Sequence, residues 1–215
     1  MDERPNRRFY LLTPPLGEDD LIEFAATLAE VLAAADVACV LARLAPQSES
    51  AAKTIIARLA AIAAKADAAL LVERDPDLAL RAGADGAHIG GAGEALMAAI
   101  ARLKPQRIVG AGLLNSRDEA MVAGEAGADY VMFGEPRPDG WTPPVSETVE
   151  LIGWWAEIFE PPCVGFAADL GDITAIAAAG ADFIALGGAV FGAHRPAEAM
   201  AEAEAALLAP QSSWS

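Results

Sequence analysis

The sequence predicts a single (β/α)₈ barrel of the TIM type, and two observations carry this prediction. The first is an internal repeat: Ala-Gly-Ala-Asp followed by a short apolar run begins at residues 82, 126 and 179. Each interval is long enough for two units of strand and crossover helix. The second is the alternation of eight strand-like runs with eight helix-like segments. A doubly wound open sheet is the main alternative, but no strand is followed by a Gly-x-Gly-x-x-Gly helix opening.

The eight predicted strands are short and mostly apolar, as expected for parallel strands covered on both faces. They cover residues 8–13, 37–44, 69–73, 86–90, 107–112, 130–134, 163–167 and 183–187. Segments of helical apolar periodicity lie between and after them, at residues 18–35, 50–66, 76–82, 94–103, 116–126, 146–159, 172–179 and 196–209. Since no linker interrupts the units, we predict one domain, with the barrel at about 8–208 and short polar tails at 1–7 and 209–215.

The repeated glycine and aspartate residues are predicted to be structural. Each glycine stands where a helix ends and favours a positive φ, and each aspartate is expected to hydrogen-bond the backbone of that turn. They are Gly83, Gly127 and Gly180 with Asp85, Asp129 and Asp182. These positions precede strands, so we expect the aspartates at the amino-terminal end of the barrel, away from any ligand.

Composition narrows the classes of partner. A formal charge of −16 and a pI near 4.4 make nucleic acid an unlikely partner by electrostatics, and the same charge disfavours an anionic membrane surface. The N-terminus shows no apolar signal region, so the expected location is the cytoplasm. Cys39 and Cys163 lie in apolar strands and are expected to be buried free thiols. The Ala-rich outer helices are compatible with solvent exposure or with a homodimer.

Chemistry in a (β/α)₈ barrel is expected at the carboxyl ends of the strands. Glycines after the eighth strand, Gly187 and Gly188, lead into a short helix and would expose backbone N–H groups to a phosphate. Alternatively, these glycines only allow the barrel to close where side chains do not fit. Asp169 disfavours phosphate there unless it turns away or caps the next helix.

Charged residues at the other strand ends are Arg43, Glu73, Arg74, Asp75, Glu135 and Arg137. His88 lies inside a strand, where a lone histidine is either a hydrogen-bonded core residue or an acid or base, and its sequence neighbours offer no catalytic triad. His194 is expected on the surface. No set of side chains predicts a metal site, although Glu73, Asp75 and Glu135 could share the water shell of a magnesium pyrophosphate. The loop at 135–144, rich in proline, is predicted to be either a stiff turn or a lid.

Three runs of sequence carry a resemblance to a known family: VERDPDLALRAGADGAHIGG, RIVGAGLLNSRDEAMVAGEAGADYVMFGEPRP and AAAGADFIALGGAVF. They resemble the thiamine phosphate synthase and thiazole tautomerase superfamily of (β/α)₈ barrels, over about residues 8–208. The resemblance implies a site for phosphorylated small molecules. In the synthase, a pyrimidine pyrophosphate is joined to a thiazole phosphate, with Mg²⁺ on the pyrophosphate.

Several family motifs are changed in this chain. Gln-Leu-Arg-Glu-Lys of the family corresponds to residues 41–45, where Arg43 is kept and Ala45 replaces the lysine. Asn-Asp-Arg corresponds to residues 73–75, so that Arg74 stands where a metal-binding aspartate is expected, and Gly93 replaces the second such aspartate. The Ser-Thr-His, Thr-x-Thr-Lys and Gly-Gly motifs correspond to residues 112–114, 137–140 and 167–168, and none of them is kept.

Three hypotheses follow. The chain is a pseudoenzyme that still binds a phosphorylated small molecule in thiamine-related metabolism, or a divergent synthase or tautomerase-like enzyme, or a barrel with an unrelated ligand or protein partner. The phosphate ligands would be Gly187, Gly188, Arg43 and Arg74. Acid–base chemistry, if present, would use Glu73, Glu135 or His88. No metal ligand is assigned, and Mg²⁺ is expected only together with a pyrophosphate ligand.

Overall fold

A computed structural model describes residues 7–209, in which eight parallel strands close into one barrel in chain order. The strands are β1 (Arg8–Leu12), β2 (Val37–Ala42), β3 (Ala69–Glu73), β4 (Gly86–Gly90), β5 (Ile108–Gly112), β6 (Tyr130–Phe133), β7 (Cys163–Phe166) and β8 (Phe183–Leu186). The predicted fold class is confirmed, and every predicted strand overlaps an observed one. The predicted tails lie almost wholly outside the described residues.

Helices cover the outside of the barrel. They are α1 (Leu21–Ala33), α2 (Glu49–Ala63), α3 (Pro76–Ala82), α4 (Glu94–Leu103), α5 (Arg117–Glu125), α6 (Val145–Ile158), α7 (Ile173–Ala179), α8 (Gly188–Phe191) and α9 (Pro196–Leu208). α1 begins three residues later than predicted, because the Asp20 carboxylate accepts the Gly17 N–H at 2.8 Å and closes a turn there. Within residues 7–209, no helix is both long and apolar enough to cross a membrane.

Two apolar layers form the core. The larger layer lies between the strands and the helices, and a second group fills the barrel interior with side chains that alternate along the strands. The interior group includes Tyr10, Cys39, Leu71, Tyr130 and Phe166. Both cysteines are buried free thiols, as predicted. Burial raises the pKa of the Cys163 thiol to about 12 and raises that of Cys39 as well, so neither thiol is a ready nucleophile.

The repeated aspartates lie at the amino-terminal end of the barrel, as predicted, but they bind different groups from those expected. Each carboxylate accepts the N–H of a residue at the start of the preceding strand, and each aspartate N–H donates to the carbonyl of that same residue. The pairs are Asp85–Leu70, Asp129–Val109 and Asp182–Cys163, with N–H···carboxylate distances of 2.7, 2.8 and 2.8 Å. The repeated aspartates therefore connect neighbouring strands by hydrogen bonds, and the repeated glycines form the helix-to-strand turns.

Candidate functional site

A cavity of about 260 Å³ opens at the carboxyl ends of β1, β2 and β8. We call it the glycine pocket; its lining includes Thr13, Arg43, Pro136, Phe166, Gly187 and Gly188. Gly187 and Gly188 connect β8 to α8, in which the Val190 and Phe191 N–H groups donate to the Gly187 carbonyl while those of Gly188 and Ala189 have no helical acceptor. The barrel thus brings three of the four predicted phosphate ligands to one cavity.

The space around Gly187 and Gly188 shows whether crowding excludes a side chain at these positions. A Cβ added at Gly188 would meet no heavy atom within 4 Å, and one added at Gly187 would make ordinary contacts at 3.5 Å with Leu12. Lack of room for a side chain therefore does not explain Gly188. The open space in front of this turn is instead suited to the close approach of a ligand.

Arg43 lies at the end of β2 and contributes the positive charge of the glycine pocket. Its Nε is buried and has no hydrogen-bond partner among residues 7–209, and it lies 3.4 Å from the Glu73 carboxylate. Buried Thr13 fixes the backbone there, because its hydroxyl accepts the Arg43 N–H at 2.9 Å. The guanidinium lines the cavity, so it can supply charge-assisted hydrogen bonds to a bound anion.

The other charged residues at the carboxyl end of the barrel do not line the glycine pocket. Arg74 is 56% exposed, pairs with Glu73 at 3.5 Å and does not line the glycine pocket. The Asp75 carboxylate accepts the Leu78 N–H at 2.7 Å and caps α3. Asp169 is exposed, precedes the short 3₁₀ turn at residues 170–172 and also lies outside the pocket lining. The aspartate that disfavoured a phosphate site therefore turns away from it.

These residues do not fit the magnesium ion that the resemblance implies. Glu73 is paired with two arginines, Asp75 caps a helix, and Arg74 has the wrong charge for a metal ligand. Within the part of the chain that the structure describes, no three His, Cys, Asp or Glu side chains are grouped to hold a metal.

A chain of buried hydrogen bonds crosses the barrel interior from β1 to the loop after β6. We call it the buried column; its members are Tyr10, Tyr130, His88 and Glu135. The two tyrosine hydroxyls are 2.7 Å apart, the Tyr130 hydroxyl is 2.8 Å from His88 Nδ1, and His88 Nε2 is 3.1 Å from Glu135 Oε2. His88 is therefore a buried, hydrogen-bonded core residue, one of the two predicted alternatives, and its partners come from β6 and the loop after it rather than from its sequence neighbours.

Glycines in β5 provide the space that the buried column occupies. A Cβ added at Gly110 would lie 2.0 Å from Tyr130 Cζ, and one at Gly112 would lie 1.9 Å from Glu135 Oε1 and 2.3 Å from His88 Nε2. Both glycines alternate with apolar residues and face the interior. Sequence reasoning missed Tyr10 and Tyr130; the Gly-x-Gly alternation of β5, beside a strand that contains histidine, was the available signal.

Protonation of the tyrosines defines how the column can work. Burial, together with the nearby Cys39, raises the pKa of Tyr10 and Tyr130 well above the usual value, so both hydroxyls keep their protons at neutral pH. If the Glu135 carboxylate accepts the His88 Nε2–H, Nδ1 is left as an acceptor for the Tyr130 hydroxyl. The Leu113 N–H also donates to Glu135. The arrangement therefore holds the Glu135 side chain in place.

The proline-rich loop after β6 forms a hydrogen-bonded turn. The Arg137 N–H donates to the Trp141 carbonyl and the Gly140 N–H donates to the Arg137 carbonyl, both at 2.8 Å. The Arg137 guanidinium lies 4.4 Å from the centre of the Trp141 ring. Two backbone hydrogen bonds therefore close a turn at residues 137–141. A smaller cavity of about 70 Å³ lies beside it, lined by Glu135, Arg137 and Asn115 among others.

Fold and site together define a class: a (β/α)₈ barrel whose carboxyl end carries an open glycine turn beside an arginine. The model of the family described as thiamine monophosphate synthase matches residues 9–190, and the chain belongs to this family. Two relatives called thiamine-phosphate synthase support this family membership. The one from Rhodospirillum centenum is 40% identical, covering 86% of this chain and 89% of its own; the one from Hyphomonas neptunium is 37% identical, covering 87% of each.

Solved structures support the same fold. A thiamine phosphate pyrophosphorylase from Pyrococcus furiosus superposes with a TM-score of 0.78 at 23% identity, covering 96% of this chain and 98% of its own. A 3-hexulose-6-phosphate synthase from Salmonella typhimurium gives a TM-score of 0.70 at 17% identity, covering 93% and 98%. At these identities the likeness concerns the fold alone.

Proposed function

We propose that the chain binds a phosphorylated small molecule of thiamine-related metabolism in the glycine pocket, in the cytoplasm, and has lost the magnesium-dependent step of the synthase. The phosphate would be held by backbone N–H groups at Gly187 and Gly188 and by Arg43. Arg74, which lies outside the pocket lining, would contribute only long-range charge.

The observation that carries this proposal is the Arg43 guanidinium in the same cavity as the open turn at Gly188. A phosphate at the start of a helix accepts hydrogen bonds from N–H groups that otherwise lack partners, and a guanidinium supplies charge-assisted bonds. Backbone donors do not depend on side-chain identity. Such a site can persist while the catalytic side chains around it change.

The loss of the transfer step is inferred from the residues at the metal-binding positions. Departure of pyrophosphate needs its developing negative charge to be stabilised, which metal ions and cationic side chains provide. Arg74 and Gly93 stand where the resemblance implies metal-binding aspartates, and Ala45 stands where it implies a lysine. Glu73 and Asp75 are engaged by other protein groups.

Calorimetry tests the binding site. We expect the parent protein to bind inorganic phosphate and thiazole phosphate at millimolar concentration or below, and Gly188→Val to abolish this binding, because its side chain would fill the space in front of the turn. Gly188→Ala is the matched control for folding, since a Cβ there meets no protein atom within 4 Å. Absence of phosphate binding to the parent, or equal binding by folded Gly188→Val, would refute the proposal.

An active divergent enzyme is the second candidate, because relatives 37–40% identical are called thiamine-phosphate synthase. The buried His88–Glu135 pair is a second reason, since histidine and carboxylate side chains serve in proton transfer. A turnover assay with the pyrimidine pyrophosphate, the thiazole phosphate and Mg²⁺ separates the two candidates. Thiamine phosphate formation that Arg43→Ala abolishes would establish the second; no detectable product is the outcome expected here.

A further inference from the structure

A groove of about 600 Å³ runs along the outside of the barrel between α1 and α2. We call it the α1–α2 groove; its lining includes Ile22, Ala29, Leu32, Arg58, Ile62 and Lys65. We infer that a second copy of this chain binds there, so that two copies form a symmetric dimer through α1 and α2. The inference goes beyond the proposed function, because no residue that lines the glycine pocket lines this groove.

The apolar part of the groove is exposed in a single copy of the chain. Ile22 is 87% exposed, the largest exposed fraction of any large apolar side chain among residues 7–209. Ala26, Ala29 and Ala33 are exposed on the same side of α1, and Ala61, also exposed, lines the groove from α2. Because these side chains are small, helices of another molecule can approach closely. Burial of this apolar surface would favour association.

The charged residues beside the groove form one acidic row and one basic row. Glu23 and Glu30 are the only charged residues of α1. Arg58 and Lys65 are the only charged residues between positions 54 and 66. The two members of each row are seven residues apart, which is about two helical turns or about 10 Å. All four residues are exposed, and none of them takes part in an ion pair within residues 7–209.

A two-fold axis parallel to the helices would bring the two rows together. α1 and α2 each follow one of two parallel strands and therefore run in the same direction. Such an axis places α1 of one copy over α2 of the other without reversing that direction. Glu23 would then face Arg58 of the partner subunit, and Glu30 would face Lys65 of the partner subunit. Since the spacing is equal in the two rows, one register satisfies both pairs.

A second copy fits this face better than an unrelated protein, because the face is complementary to itself. A symmetric interface uses the same surface patch on both subunits, so the patch must carry charges of both signs. The whole chain has a formal charge of −16, whereas the two rows contribute two acidic and two basic side chains. Two copies can therefore meet at this face without the repulsion that their net charge imposes elsewhere.

Sedimentation velocity of the parent between about 1 µM and about 1 mM measures the association. Since α1 and α2 are only 13 and 15 residues long, the interface is small, and we expect a dimer with a micromolar dissociation constant. Reversing the acidic row with Glu23→Arg and Glu30→Arg should weaken the dimer at least about tenfold, because like charges then face each other. Arg58→Glu with Lys65→Glu should do the same. An equimolar mixture of the two double variants should restore a dimer that contains one copy of each.

Matched variants separate this face from general effects of charge and hydrophobicity. Asp118→Arg with Glu125→Arg reverses another pair of exposed acidic residues seven positions apart, on α5, and should leave the dimer intact. Ile22→Asp should abolish the dimer, whereas Ile158→Asp, which changes an exposed residue of α6, should not.

Four outcomes would overturn the inference. They are a monomeric parent at every concentration, a parent dimer that the α1 and α2 variants leave intact, equal weakening by the reversals on α1 and α5, and a mixture of the double variants that stays monomeric. Phosphate affinity should stay within about twofold of the parent in every variant, because none of the changed residues lines the glycine pocket. Failure of the interface would therefore leave the proposed function standing, and loss of phosphate binding by the parent would leave the interface standing.

Discussion

The two sides of the carboxyl end of the barrel differ in what builds them. At β1, β2 and β8 the glycine pocket consists of backbone groups, open space and one arginine. At β4, β5 and β6 the interior is filled by the buried column, which also reaches Tyr10 on β1 and depends on four side chains and on two glycines that make room for them. The first side is tolerant of change and suited to a ligand; the second is tightly packed and suited to holding groups in place.

Glycine has opposite roles at the two sides. A Cβ at Gly188 enters open space, whereas a Cβ at Gly112 would overlap Glu135 and His88. One glycine leaves room for a molecule from outside, and the other leaves room for the protein's own side chains. Each of the following experiments tests one side against the other.

The largest effect is expected from adding one methyl group on the packed side. Gly112→Ala should lower the free energy of unfolding by about 2 kcal/mol, because the buried column must shift or break, and should lower the melting temperature by about 4–8 °C. Gly188→Ala, the matched control, should change the melting temperature little. Scanning calorimetry of both variants measures the difference. Equal melting temperatures for the two would remove the contrast.

The next effect concerns ligand affinity on the open side. Arg43→Ala should weaken phosphate binding about tenfold, since it removes the guanidinium that lines the glycine pocket. Arg74→Ala removes an equal charge from a side chain that is 56% exposed and should weaken binding less than twofold. Titration calorimetry on the folded variants decides between them. A similar loss in both would mean that phosphate responds only to net charge.

The free energy of unfolding should depend on pH through the tyrosines of the buried column, on the packed side. Because the pKa values of Tyr10 and Tyr130 are raised above 10.0 by burial, their contribution to stability is complete below pH 10 and is lost as pH rises further. Tyr130→Phe removes one such group. Between pH 9 and pH 11, the free energy of unfolding of this variant should therefore fall by about 1 kcal/mol less than that of the parent. Urea unfolding at each pH measures this. The buried thiols titrate in both proteins, so parallel curves would contradict the prediction.

The smallest effect on affinity is expected from Glu135→Gln. Phosphate affinity should stay within about twofold of the parent, or rise slightly, because a like charge is removed while the glycine pocket is left intact. The ¹⁵N signals of His88 should nevertheless change, since its Nε2 loses a carboxylate partner. The chain has only two histidines, so His194→Gln assigns the spectrum. A tenfold loss of phosphate affinity would show that the two sides are coupled.

Most of the secondary structure was predictable from the sequence. Strand ends agree within two residues, because a buried parallel strand reads as an apolar run between turn residues and this pattern is local. The repeat of Gly and Asp marked the amino-terminal end correctly. Its bonding was not predictable, since the N–H groups that donate to the aspartate carboxylates lie on the preceding strand, 15 to 20 residues away.

By itself, then, the sequence determined the strands, the helices, the closed barrel and the end at which polar residues gather, because these follow from short-range periodicity and from the chirality of β/α units. Only the tertiary structure decided which rim residues meet. Barrel closure brings Arg43 of the β2 end to Gly188 after β8, and it places Tyr130 and Glu135 against His88, 42 and 47 residues earlier. It also turns Arg74 and Asp169 outward. The direction of a side chain at a strand end depends on the neighbouring strands, and no local pattern encodes it.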